Sequence, residues 1–270
     1  GVSMDGGGFF YPNPLESMGQ HQRQAWFGCA CCPSNICRFL PSLPGYIYAV
    51  KDRNVYVNLF LSNSSKVSID GKSVSLSQET NYPWNGDVKI KVDNSKAGKF
   101  GMKIRIPGWV KGQPVPSDLY SYTDASRPTY KITVNGRSVP ASLTEDGYYT
   151  IERNWKKNDV VNVHFDMDVR TVRADNKVEA DRGMVSVERG PLVYCAEWRD
   201  NAFDIMSVLL NREPKFSEGK LSYSSFIADS LKTKLQLYRD QNITTLATDA
   251  QTLAYDNSGK LTTQNVKLEL

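Results

Sequence analysis

The sequence predicts a mainly β protein in which two β-sandwich-like domains follow a short helical segment. Three observations predict this class. One short apolar run near the start has helical spacing, the hydrophobic period changes to two beyond Pro44-Gly45, and turn signals recur between short β-branched runs. The length of 270 residues is sufficient for two domains of ordinary size.

The helical segment begins in a cluster that holds four of the five cysteines: Cys29, Cys31, Cys32 and Cys37. Pro33 is favoured at the first position of a helix, which predicts that Cys31 and Cys32 lie at the helix N-terminus. Beyond it, apolar residues recur at helical spacing: Ile36, Phe39, Leu40 and Leu43. Pro41 must kink or end this helix around Leu40.

A cysteine at a helix N-terminus has distinctive chemistry. Unpaired backbone N–H groups and the helix dipole stabilise an anion there, and such positions lower a thiol pKa below its free value of about 8.5. A thiolate is both a nucleophile and a soft ligand for zinc. Zinc needs about four ligands, but the cluster lacks paired C-x2-C knuckles, and His21 and His164 have no H-x3-5-H partner. Any zinc here therefore takes ligands from outside this segment.

Three structural alternatives to a reactive site stay open from the spacing alone. In the first, the cysteines are buried as small hydrophobic residues. In the second, Cys31 and Cys32 form a strained vicinal disulfide, and in the third, a cysteine of the cluster pairs with Cys195. Because the cysteines are concentrated at one place, they say little about the redox compartment.

Short apolar and β-branched runs predict the strands of the first sandwich: Tyr46–Val50, Val55–Leu61, Val67–Ile69, Val88–Val92, Met102–Ile106, Tyr130–Val134, Tyr148–Ile151 and Val160–Phe165. Asp70-Gly71 and Asn135-Gly136 predict type I′ hairpins. A second series predicts a sandwich that is incomplete at its C-terminus: Met184–Val187, Leu192–Cys195, Lys234–Leu237 and Thr262–Leu268. The predicted domains are residues 1–45, 46–168 and 169–270.

Composition argues against two classes of partner. The net charge is +4, and the basic residues are scattered among acids without a basic run, which argues against nucleic-acid binding. No apolar span is long enough for a membrane helix, so no membrane span is predicted. The sequence makes no prediction of the oligomeric state.

Two segments carry a family resemblance. The first joins Phe9-Phe10-Tyr11-Pro12-Asn13-Pro14-Leu15-Glu16 to Trp26-Phe27-Gly28-Cys29-Ala30-Cys31-Cys32-Pro33-Ser34-Asn35-Ile36-Cys37-Arg38. The second joins Val178-Glu179-Ala180-Asp181-Arg182-Gly183 to Glu188-Arg189-Gly190-Pro191-Leu192-Val193-Tyr194-Cys195. Together they resemble glycoside hydrolase family 127, the β-L-arabinofuranosidases.

The resemblance implies a retaining glycoside hydrolase that acts on plant cell-wall glycans, with the short helix as the end of an (α/α)6 barrel. By motif position Cys31 is the nucleophile, Cys31 and Cys32 are zinc ligands, and Tyr11 lies near the sugar. Packing beside Phe9 and Phe10 is the structural alternative for Tyr11. The acid/base glutamate and the remaining zinc ligands are expected from a preceding N-terminal region, so the chain alone is expected to be inactive.

Two other functions stay open. One is a non-catalytic carbohydrate-binding or structural β-sandwich whose cysteine cluster is only structural. The other is a thiol redox protein, which the lack of a βαβ pattern around the cysteines disfavours. Glycan hydrolysis favours a periplasmic or secreted setting, whereas a zinc thiolate is better protected from oxidation in the cytosol.

Overall fold

The computed structural model describes residues 1–3, 7–12, 14, 16–29, 31–139, 143–222 and 242–270. These residues form two compact units. We call Leu40–Val193 the sandwich unit, and Gly1–Phe39 with Tyr194–Leu270 the terminal unit. The fold is mainly β, as predicted, and none of the helices in the described ranges is long and apolar enough to cross a membrane.

Two α-helices precede the strands, α1 (Cys31–Phe39) in the terminal unit and α2 (Pro44–Ile47) in the sandwich unit. The strands of the sandwich unit are β1 (Tyr48–Lys51), β2 (Asn54–Val57), β3 (Asn63–Ile69), β4 (Lys72–Thr80), β5 (Asp87–Ser95), β6 (Lys99–Arg105), β7 (Tyr120–Tyr122), β8 (Tyr130–Val134), β9 (Arg137–Ser138), β10 (Tyr148–Asn154), β11 (Val160–Phe165), β12 (Val169–Ala174) and β13 (Ser186–Arg189).

Two sheets of this unit share one hydrophobic core. Their strand orders are β1-β2-β6-β10 and β3-β4-β5-β11-β8-β9. Alternate residues along each strand point inward, as the period of two requires, so that Ile90 of β5 and Met102 of β6 belong to the same buried cluster. Phe165 is buried at the centre of an aromatic group, and its ring lies 5.5 Å from that of Phe60 and 5.9 Å from that of Trp109.

Both predicted hairpins are confirmed. Asp70 and Gly71 have φ of 48° and 74° and join β3 to β4, while Asn135 and Gly136 have φ of 50° and 78° and join β8 to β9. A type I′ turn requires positive φ at both central residues, which Asn, Asp and Gly tolerate best.

A third sheet has the order β14-β13-β12-β7, where β14 is Leu192–Tyr194. It contains a buried charge: Arg170 donates from Nε and Nη2 to the Asp124 carboxylate at 3.1 and 3.0 Å. The Arg170 guanidinium carbon lies 3.4 Å from the centroid of the Tyr122 ring, and the Tyr122 hydroxyl donates to Glu188 at 3.1 Å. Burial of Arg170 is therefore offset by a two-point ion pair and a stacked aromatic ring.

The sheet of the terminal unit is built around one long strand. Its strands are β15 (Leu209–Leu210), β16 (Phe216–Ser222), β17 (Asn242–Tyr255) and β18 (Leu261–Glu269). β17 pairs antiparallel with β16 and β15 and also with β18. Its inward face buries Leu246 and Ala250, and Leu268 of β18 is buried as well.

The structure corrects several predicted boundaries. The first strand begins at Tyr48 and not at Tyr46, because Pro44 starts the short helix α2. β7, β12, β16 and β17 were not among the predicted strands, and the predicted strand Lys234–Leu237 falls outside the described residues. The strands predicted for a second sandwich are divided between the third sheet and the terminal sheet. The three predicted domains, with their two boundaries, stay a prediction.

Candidate active site

α1 begins at Cys31, so Cys31 and Cys32 occupy its first turn, as predicted. Pro33 is at the third helical position and not at the first, which corrects the expected start by two residues. Proline is tolerated there because the first four N–H groups of a helix have no intrahelical partner. The α-helix ends at Phe39, where a 3-10 turn that contains Pro41 follows, as expected.

Two extended segments bring Tyr11 beside this helix start. Phe9 N donates to Gln24 O at 2.9 Å and Gln24 N donates to Phe9 O at 3.0 Å, which forms an isolated antiparallel bridge. The Phe27 ring lies 5.2 Å from the ring of Phe9 and 5.5 Å from that of Tyr11. Tyr11 follows the bridge by two residues and Cys29 follows Phe27 by two, so the bridge and the ring contacts set both positions.

The Tyr11 hydroxyl contacts two thiols. Its oxygen is 2.6 Å from the sulfur of Cys31 and 3.2 Å from that of Cys29. The two sulfurs are 3.4 Å apart, and Cys31 Sγ is 3.9 Å from Cys32 Sγ. The hydrogen bond to Cys29 is the largest cause that raises the pKa of the Tyr11 phenol, and the hydrogen bond to Cys31 is the second largest. The phenol therefore stays protonated. Its hydroxyl donates to the Cys29 sulfur, whereas either atom can be the donor in the contact with Cys31.

The structure argues against the alternatives for the cluster. All five cysteines are free and exposed, so there is neither a Cys31–Cys32 disulfide nor a pairing with Cys195, and the thiols are not buried as small hydrophobic residues. Tyr11 packs on Phe27, and its hydroxyl points at the thiols. The thiols are therefore accessible to solvent and lie in contact with one phenol hydroxyl.

The thiols fit half of a zinc site. In a tetrahedral site with Zn–S bonds of about 2.3 Å, two sulfurs lie roughly 3.8 Å apart, and the sulfurs of Cys31 and Cys32 are 3.9 Å apart. Thiolate is also a ligand type that zinc prefers. Within the described ranges no group of three His, Cys, Asp or Glu side chains is arranged to hold a metal ion. If a zinc ion were bound here, the pair would supply two ligands of about four.

Sequence reasoning did not find every residue that positions this site. It named Cys29 in the cluster but gave it no role, although the Tyr11 hydroxyl donates to it at 3.2 Å. It also missed Arg23, which forms an ion pair with Glu197 at 2.9 Å. The Cys-x-Cys spacing of Cys29 and Cys31 is a local signal from which a role for Cys29 could have been predicted. No local pattern links two residues that are 174 positions apart.

Three models of one family match the chain in succession. Residues 1–45 match "Beta-L-arabinofuranosidase, GH127 catalytic domain", residues 54–167 match "Beta-L-arabinofuranosidase, GH127 middle domain", and residues 169–261 match "Glycoside hydrolase family 127 C-terminal domain". The cysteine cluster and Tyr11 thus fall in the part that matches a catalytic domain.

Individual relatives agree with the family models. A non-reducing end β-L-arabinofuranosidase of Bifidobacterium longum subsp. longum is 35% identical over 228 residues, which cover 78% of this chain and 31% of the relative. A solved GH127 β-arabinofuranosidase superposes on the whole chain with a TM-score of 0.86 and 53% identity, over 40% of its own length. A GH127 β-L-arabinofuranosidase from Geobacillus stearothermophilus T6 does so with a TM-score of 0.77 and 30% identity, also over 40% of its length.

The fold and the order of the matched domains are those of a multidomain glycoside hydrolase. The chain belongs to glycoside hydrolase family 127. It spans about a third of the length of the Bifidobacterium relative that it matches.

Proposed function

We propose that this chain supplies the thiol site and the β domains of a retaining β-L-arabinofuranosidase that acts on glycans. In this proposal Cys31 is the nucleophile and Cys32 is the neighbouring zinc ligand. The observation that carries it is the convergence of the Tyr11 hydroxyl on the Cys31 sulfur, at 2.6 Å, in the first turn of α1. This convergence lies within the residues that match a catalytic domain.

The reaction divides into two displacements at one carbon. The Cys31 thiolate attacks the anomeric carbon, the glycosidic C–O bond breaks, and its electron pair goes to the leaving oxygen. That oxygen takes a proton from a carboxylic acid, which the family resemblance places outside this chain. Water then attacks the same carbon, the C–S bond breaks, its electron pair returns to sulfur, and the carboxylate accepts the proton of the water. Two inversions retain the anomeric configuration.

Three residues have a defined part in this scheme: Cys31, Cys32 and Tyr11. Zinc, when bound, keeps a coordinated thiol deprotonated. Free N–H groups of the first helical turn stabilise negative charge at Cys31 and Cys32. When Cys31 is a thiolate, the Tyr11 hydroxyl is the donor in their 2.6 Å contact and thereby fixes the position of the sulfur. Because the sugar must approach this same sulfur, we expect the Tyr11 hydroxyl to contact the sugar.

The experiment uses the full-length protein and an aryl β-L-arabinofuranoside. We expect alkylation of Cys31 to abolish hydrolysis and intact-mass analysis of the unmodified enzyme to detect a glycosyl adduct on Cys31. Cys37→Ser is the matched control, because Cys37 is an exposed free thiol farther along α1. Full hydrolysis after quantitative alkylation of Cys31 would refute the proposal and favour a non-catalytic, carbohydrate-binding role for this chain within the enzyme.

A further inference from the structure

One segment of the terminal unit, residues 194–201, is fixed to the terminal sheet at both ends. The Tyr194 hydroxyl donates to Thr244 O at 3.0 Å. Asn201 is buried, donates from Nδ2 to Glu269 O at 3.1 Å and accepts from Glu269 N at 3.0 Å. The same Asn201 amide donates to Glu197 O at 2.9 Å, so the backbone at Glu197 is held in place. We call residues 194–201 the anchoring segment.

The anchoring segment contacts the N-terminal residues of the same unit at two points. Arg23 donates from Nη2 to Glu197 Oε1 at 2.9 Å and from Nη1 to Glu197 Oε2 at 3.3 Å. The Trp198 indole N–H donates to Ser17 O at 3.2 Å. The two contacts lie on either side of His21 in the chain, so they restrain the stretch that leads into the bridge with Phe9.

Arg23 also connects to the segment that carries Tyr11. Its guanidinium carbon lies 4.6 Å from the centroid of the Phe10 ring, which adjoins Tyr11 in the chain. The residue after Arg23 is Gln24, whose backbone forms the bridge with Phe9. Arg23 therefore touches both extended segments that bring the Tyr11 hydroxyl to the thiols.

We propose that Arg23 and Glu197 are positioning residues for Tyr11, which they hold at the Cys31 thiol from the anchoring segment. The effect on catalysis rests on the proposed function, whereas the effect on the thiol does not. The ion pair is about one third exposed, with side-chain exposures of 31% and 38%, so its direct contribution to stability is small. Its importance is geometric, because a two-point Arg–carboxylate contact fixes orientation as well as distance.

The test is the rate at which iodoacetamide labels Cys31 in the full-length protein, resolved by site with tandem mass spectrometry. A hydrogen bond to sulfur reduces its nucleophilicity, so we expect Tyr11→Phe to raise the rate by about tenfold. Arg23→Ala should raise it roughly threefold, as expected for a partly exposed pair. If Arg23 acts through Tyr11, the double variant labels no faster than Tyr11→Phe alone.

Charge reversal tests the ion pair itself, and turnover tests its effect on catalysis. Arg23→Glu and Glu197→Arg should each raise the labelling rate, and the double reversal should restore it. Arg23→Ala should lower kcat more than it raises KM for the arabinofuranoside, with no further loss in the Tyr11→Phe background. Lys99→Glu is the control, because Lys99 forms an exposed ion pair with Glu152 at 3.3 Å in the other unit.

Two results would overturn the proposal: a wild-type labelling rate in Arg23→Ala, or rate factors that multiply in the double variant. If Arg23→Ala does not fold, Arg23→Lys replaces it, because lysine keeps the charge but loses the two-point contact. If Cys31→Ala retains hydrolysis, the proposed function fails, but the labelling rates still decide whether Arg23 positions Tyr11.

Discussion

The hydroxyl of Tyr11 lies 2.6 Å from the sulfur of Cys31, although 20 positions separate the two residues. This contact joins the backbone bridge between Phe9 and Gln24 to the first turn of α1. A donor at that distance can hold a thiolate in one orientation, which a nucleophile needs before it attacks a carbon. The contact therefore relates the local fold to the proposed chemistry.

The first prediction is that Cys31→Ser in the full-length protein lowers kcat for an aryl β-L-arabinofuranoside by more than about a thousandfold. A neutral serine hydroxyl without an adjacent base is a far weaker nucleophile than a thiolate. Activity within about tenfold of wild type, a loss of only about 1.4 kcal/mol, would exclude Cys31 as nucleophile.

The second prediction is that Cys32→Ala lowers the zinc content of the full-length protein, measured by elemental analysis after dialysis. The 3.9 Å separation of the Cys31 and Cys32 sulfurs fits two corners of a tetrahedral site. Removal of one thiolate opens the site and weakens the binding of zinc. Cys37→Ser should keep the wild-type content. Full zinc occupancy in Cys32→Ala would remove Cys32 from the ligand set.

The third prediction concerns pH and His164 on β11. Its Nδ1 lies 2.6 Å from Asp87, its Nε2 lies 3.2 Å from Asp166, and Lys131 is its partner on β8. The hydrogen bond to Asp87 is the main cause that raises the His164 pKa above its unfolded value. A histidine whose pKa is raised by folding stabilises the fold at a pH below its pKa in the unfolded chain. This stabilisation is lost as the pH rises through its pKa in the folded state.

We therefore expect His164→Gln to lower the thermal midpoint of the chain at about pH 5.5 and to leave it nearly unchanged at about pH 8.5. His21→Gln, at the other histidine, serves as the control. A larger destabilisation by His164→Gln at the higher pH would show that the sign is wrong.

The fourth prediction is that Arg170→Lys destabilises the sandwich unit by about 2–3 kcal/mol. Lysine cannot reproduce both hydrogen bonds to Asp124 or the stacking on Tyr122, and only 5% of the Arg170 side chain is exposed. Arg173→Lys on the same strand is the matched control, because Arg173 is exposed. Equal urea midpoints for the two variants would contradict this account.

Local chemistry explains which parts of the fold could be predicted from sequence. The Asn135-Gly136 and Asp70-Gly71 turns were predicted because the sign of φ is a property of the residues themselves. The start of α1 was predicted to within two residues because Pro33 marks a first turn. The motifs in residues 9–38 and 178–195 also predicted the family to which the chain belongs.

Strand β17 shows why other elements were missed. The residues of its inward face are buried, but several of them are threonines: Thr244, Leu246, Thr248, Ala250 and Thr252. The outer face mixes polar residues such as Asp249 with apolar ones such as Leu253, so the contrast between the two faces on which a period of two depends is weak. The Arg23–Glu197 pair was missed for a different reason, since only the tertiary fold brings these residues together.

The last prediction is that the 270-residue chain, expressed alone, folds through its β-sheets but neither hydrolyses arabinofuranosides nor retains zinc on dialysis. In the proposed site Cys31 and Cys32 would supply two zinc ligands where about four are needed, and the described ranges contain no group of three residues arranged to hold a metal ion. No residue of α1 is buried, and its apolar stripe is open, with Ile36 55% and Phe39 50% exposed.

We expect hydrogen exchange of the isolated chain to be slow in β5, β6 and β11, whose residues fill the sandwich core, and fast in α1, which lacks buried contacts. Without a general acid, rate enhancement falls by about 10²–10⁴ on that ground alone. The chain with Cys31→Ala is the control for any residual turnover. Steady hydrolysis by the isolated chain that Cys31→Ala abolishes would show that these residues contain a complete site, because the nucleophile, the acid and the sugar contacts would then all lie within them.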